Sequence, residues 1–137
     1  MKYAGEAVRK WVIEELSGIE IGSKVIPVYN LARIDQAAPY VLVVNQTQNG
    51  VVTKEKDCAM ATVNIMAVTE FFGDYGGDQM ADRIASEISQ RLTGAEGEQD
   101  GLKITVLSLD ANESTMQIDQ TRRVITRNLA YQIFVEL

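Results

Sequence analysis

A lone cysteine, scattered carboxylates and two adjacent arginines are the side chains here that could do chemistry. A thiol becomes a nucleophile when a base or positive charge lowers its pKa, and nothing near Cys58 in the sequence signals either. The chain contains no histidine, which removes the usual acid–base residue near neutral pH and the commonest metal ligand. Cys58 cannot close an internal disulfide either, which fits a reducing compartment. In the stretch 93–101 (TGAEGEQDG), Glu96, Glu98 and Asp100 alternate as calcium ligands do. The closing bidentate glutamate of an EF-hand is missing, so these carboxylates read as solvated. Gly73-Asp74-Tyr75-Gly76-Gly77 is followed by neither Gly-Lys-Ser/Thr nor a spaced GxGxxG. A tight passage from strand to helix explains it better than a phosphate cradle. Arg122 and Arg123 could bind phosphate, pair with an acidic neighbouring subunit, or simply be solvated. No carboxylate pair has a shared scaffold for acid–base work. The expectation is a protein without catalytic activity, cofactor or metal.

Composition sets wider bounds. With 137 residues, 46% hydrophobic and 23% charged, the chain should form one domain with a real core. A net charge of −6 argues against a surface devoted to gripping nucleic acid. No apolar run is long enough to cross a bilayer. The first residues lack the apolar segment of a signal peptide, so the chain is expected to stay in the cytoplasm that makes it.

The elements are organised around residues 59–92. In 59–71, Ala61, Val63, Ile65, Ala67 and Phe71 share one parity, while Thr62, Asn64 and Glu70 take the other. That is a long strand with one apolar face. Met80, Ala81, Ile84, Ala85, Ile88 and Leu92 then recur at three- and four-residue steps, the stripe of a helix lying on a sheet. A first helix over 3–16 carries Val8, Trp11, Val12 and Leu16, with Ser17-Gly18 as its stop. Trp11 reads as a core or interface anchor rather than a ligand-stacking residue.

Residues 25–29, interrupted by Pro27, read as an edge strand. Residues 40–44 are apolar on both parities, as in a central strand covered on both faces. The polar segment 46–57 places Asn49-Gly50 at the turn of a protruding hairpin or in a long loop. Its Lys54 and Lys56 are either solvated loop charges or a docking spot. Beyond the second helix come an acidic connection over 93–101, a strand over 102–109, a turn over 110–114, a short strand over 116–119, and a final strand over 124–137. In the final strand Leu129, Tyr131, Ile133 and Val135 share a face, which places it inside the sheet beside 59–71. The fold class expected is α+β: a largely antiparallel sheet with two main helices on one face.

The order of these pieces carries a resemblance. A helix leads to Pro27-Val28-Tyr29, then to Ala38-Pro39-Tyr40-Val41-Leu42-Val43, then to a polar loop with lysine near its end. A long strand, a Gly-Gly, a helix beginning Met80-Ala81-Asp82-Arg83-Ile84-Ala85, and a strand after Arg122-Arg123 follow. This resembles the tail-completion (tail-terminator) proteins of long-tailed bacteriophages. Two departures are the Phe72-Gly73-Asp74-Tyr75 before the Gly-Gly and a longer, more polar 122–126 segment. The resemblance implies a structural virion protein of the tail or neck, assembled in the host cytoplasm. It implies a ring, commonly hexameric, that caps the tail-tube protein, ends its polymerisation and meets the head–tail connector proteins. Genomic DNA would pass through the lumen without sequence-specific binding, and net acidity would discourage sticking. Val51, Val52, Lys54, Lys56, Arg122 and Arg123 are the expected ring or tube contacts. Rival readings are a head-side connector or stopper of the phage neck, and a small-molecule binding domain unrelated to phage.

Overall fold

The computed structural model describes residues 5–30, 38–52, 57–72, 78–118 and 122–136. The chain runs α1 (Gly5–Leu16), β1 (Glu20–Ile21), β2 (Lys24–Val25), β3 (Val28–Tyr29), β4 (Tyr40–Val52) and β5 (Asp57–Phe72). It continues through α2 (Asp78–Leu92), β6 (Glu96–Gln99), β7 (Leu102–Ile118) and β8 (Arg122–Glu136). Six strands form one sheet in the order β3-β4-β5-β8-β7-β6, and β1 and β2 make a separate small hairpin. Every pairing in the main sheet is antiparallel except β3 with β4. This is the expected α+β architecture.

Both helices lie on one face. From α1, Val8, Trp11, Val12 and Leu16 are buried. From α2, Ala81, Ile84, Ala85, Ile88 and Leu92 are buried as well. Beneath them, Ala59, Ala61, Val63, Ile65 and Ala67 of β5 line up with Leu129, Tyr131, Ile133 and Val135 of β8 to make the core. The alanines keep the strand surface low where helices must approach, so the packing is dense without long side chains from both sides. β8 does lie beside β5, paired along its whole length from Cys58↔Glu136 to Phe72↔Arg122.

Two local devices lock the helices in place. Gly18 has φ of 83° and lets α1 turn off where expected. The guanidinium of Arg91, near the end of α2, donates to the carbonyls of Glu15 (3.3 Å), Ser17 (2.7 Å) and Gly18 (3.3 Å). A cation there answers both the unpaired carbonyls and the negative end of the α1 dipole. The second device is Gly97 of β6, which lies directly under the Trp11 indole. A Cβ at that position would overlap the ring nitrogen. Trp11 is therefore a core anchor, seated on a strand that the sequence pattern did not reveal.

Several sequence expectations need correction. The strand expected over 25–29 is split: Val25 belongs to the β1–β2 hairpin, and only Val28–Tyr29 joins the main sheet. Within one chain, β4 is covered on one face only, so a second cover would have to come from another subunit. Val41 and Val43 are buried, but Val44 is exposed, and β3 pairs with β4 only at Val41 and Leu42. Asn49-Gly50 is not a turn, because Asn49 and Gly50 pair with Met60 and Ala59 inside the β4–β5 ladder. A register shift between Asn45 and Thr47 changes the alternation there, and the ladder runs on to Val52 and Asp57; residues 53–56 lie outside the described residues. The acidic connection contains β6. Finally, the expected strand–turn–strand over 102–119 is one continuous strand, β7, with register shifts between Val106 and Ser108 and between Leu109 and Ala111. Each bulge inserts a residue and flips the parity, which makes a long strand look like two short ones.

Candidate functional site

Among the described residues, no element covers the face of the sheet away from the helices. Along β5 it presents Met60, Thr62, Asn64 and Met66, and along β8 Thr126, Asn128, Ala130, Gln132 and Phe134, all half-buried. These positions follow from the two-residue period of the same strands that build the core. Along β5 and β8 no charged residue interrupts the middle of this face, while from β7 Glu113 stands on it opposite Asn128. Ion pairs stand at its two ends: Lys103 with Glu136 (3.7 Å) and Arg122 with Glu70 (3.4 Å). On the helix side, by contrast, Arg127 pairs with Asp82 of α2 at 3.3 Å, and Lys10 reaches Glu6 and Asp100. The Asn128 Oδ1 is buried without a hydrogen-bond partner, as are Arg127 Nε and the Tyr131 hydroxyl.

The sheet's two long edges are largely open. β3 covers β4 only at Val41 and Leu42, and β6 covers β7 only from Leu102 to Thr105. Past these short strands, the outward sides of β4 (43–52) and β7 (106–118) have no partner strand among the described residues. The β7 edge carries an unusual set of exposed apolar side chains: Leu107 (51%), Leu109 (36%), Met116 (56%) and Ile118 (72%). A sheet edge that is long, apolar and uncovered is a ready template for another strand.

Of the six contact residues expected from sequence, four are described, and these lie in two groups at opposite ends of β5. Val51 and Val52 pair with Cys58 and Asp57, at one end of β5, as part of the β4 ladder. Arg122 and Arg123 open β8 and pair with Phe72 and Phe71 at the other end of β5. At about 3.3 Å per residue the two groups lie roughly 45 Å apart. Lys54 and Lys56 fall outside the described residues. The sequence reading missed the apolar edge of β7, because its two bulges spoil the alternation that would have marked Leu107, Leu109, Met116 and Ile118 as one strand's exposed set.

The surface depressions are shallow and mixed in polarity. One of 370 Å³ is lined by Glu96, Gly97, Glu98 and Lys103. Another, of 250 Å³, lies between β1 and α2, against Glu20, Ile21, Arg83 and Glu87. A third, of 190 Å³, lies over Asp82, Ser114 and Arg127. No group of histidine, cysteine and acidic residues that could hold a metal ion occurs among the described residues. No helix among them is long and apolar enough to cross a membrane.

Two open edges on a helix-backed antiparallel sheet define a fold whose surface suits strand addition. No protein-family model and no curated protein matches the sequence. Among solved structures, a chain from the virion of a native gene transfer agent particle shares this fold. Its TM-score is 0.58 at 18% identity, over 80% of this chain and 78% of that one.

Proposed function

We propose that this chain is a non-catalytic structural subunit of a phage-like virion. Copies of it form a closed ring that caps a tail tube, ends tube growth and meets the head–tail connector. The observation that carries this reading is the fold shared with a gene transfer agent virion chain over most of both molecules. The order of sequence pieces that resembles tail-terminator proteins points the same way. A capping ring needs two distinct ends and a lateral surface that closes on itself. The sheet offers ends roughly 45 Å apart, with the Val51–Val52 and Arg122–Arg123 positions at opposite ends. It also offers two long open edges for lateral contacts. Assembly takes place in the host cytoplasm, the ring ends in the virion neck, and DNA passes through its bore.

Analytical ultracentrifugation and negative-stain microscopy, with and without purified tail tubes, test the reading. Rings, free or seated on tube ends, are the expected result. A monomer under both conditions rejects it, and binding to a portal complex in place of tubes would move the subunit to the head side.

A further inference from the structure

We infer that neighbouring copies join edge to edge, the 106–116 stretch of β7 in one copy adding antiparallel to the 43–52 stretch of β4 in the next. This inference rests on the ring reading above and names the contact that would build the ring.

Three observations carry it. The first is the chemistry of the edges. Monomeric proteins blunt open strands with charge, proline or brevity. Residues 43–52 contain no charged residue and no proline, and 106–116 contains only Asp110 and Glu113 among Leu107, Leu109 and Met116. The second is direction. β4, β5, β8 and β7 alternate, so the two outer long strands run in opposite senses. A head-to-tail neighbour in the same orientation therefore continues the antiparallel pattern across the seam.

The third is register. Followed across the sheet, Val43 is level with Asn112, and Gln48 with Val106, so the open edges overlap only partly in an unstaggered ring. Closing a sheet into a barrel tilts its strands by about 36°, which displaces the register by about one residue per strand. Four strands per copy give a slide of about four residues. That slide lays 106–116 alongside 43–52 and brings Thr115 opposite Val44. It also leaves β3 and β6 at opposite ends of the seam, where neither obstructs it. With the usual right-handed crossover from β5 through α2 to β7, the slide has this sense when the helices lie outside. The face with Asn64, Asn128, Gln132 and, from β7, Glu113 then lines the bore.

The test uses the full chain carrying Val44→Cys and Thr115→Cys in a Cys58→Ala background. Within one copy these sites lie three strand spacings apart, about 14 Å across the sheet, and four residues out of level, too far for a disulfide. Oxidation of assembled rings should give a ladder of covalent oligomers in denaturing gels, absent from each single-cysteine variant. Rings that form but yield no ladder overturn the edge pairing and leave the ring reading standing. As an independent arm, Leu109→Lys should abolish rings in sedimentation while the monomer keeps its cooperative thermal unfolding. Intact rings in that variant count equally against the pairing. A wild-type chain that stays monomeric with and without tubes removes the ring reading itself.

Discussion

On one face of β5, Ala59, Ala61, Val63, Ile65 and Ala67 lie fully buried under two helices; on the other, Met60, Thr62, Asn64 and Met66 stand half-exposed with no layer above them among the described residues. One strand thus carries two kinds of selection. Beneath the helices, side-chain volume is fixed by neighbours already present in the monomer, so changes there are felt as lost folding stability. On the bare face and the open edges, the residues are apolar or polar but seldom charged, and the monomer gives them little to touch. Changes there should leave the isolated chain nearly unaltered and be felt in assembly.

Substitutions on the covered side come first, because they break the comparison hardest. Trp11→Ala removes the indole seated on β6 and should cost about 3–5 kcal/mol in denaturant unfolding. Gly97→Ala forces a methyl into that same ring and should cost about 1–3 kcal/mol by the same measurement. A pair of these changes should not add, since both act on one contact. Arg91→Ala strips three hydrogen bonds from the end of α1 and should cost about 1–2 kcal/mol, with faster amide exchange concentrated near Glu15, Ser17 and Gly18. Smallest of all, Gln132→Lys in the middle of the bare face should change monomer stability by no more than about 0.5 kcal/mol. A large loss of stability in that last variant would mean that the two faces are not governed differently.

Much of this was legible in the sequence where alternation ran unbroken. The strand over 59–71 was readable because its small apolar residues hold one parity for a dozen positions, and β8 for the same reason. The helix at 78–92 was readable from its stripe. Legibility failed where the backbone departs from a strict period. Asn49-Gly50 carries a turn dipeptide yet lies inside a ladder, and the two shifts in β7 broke one strand into apparent pieces. β6 escaped because GEQ offers no β-prone side chains; it is held by pairing with β7 and by the need for a glycine under Trp11. The expected contacts were read from segments whose structure differs from the one expected. Exposed valines and cations were sought in turns, whereas Val51, Val52, Arg122 and Arg123 are strand residues, and the uncovered apolar groups lie along an edge that only the sheet order reveals.

The clamp of Arg91 on the end of α1 bears on the order in which the chain can be completed. Bonds spanning 73 to 76 positions cannot form until α2 has been made. A lone helix of 12 residues is marginal in water, and the strands that α1 rests on are still unmade when it emerges. Helix α1, made well before α2, is therefore among the last elements to settle, and it waits until translation has delivered its fastener.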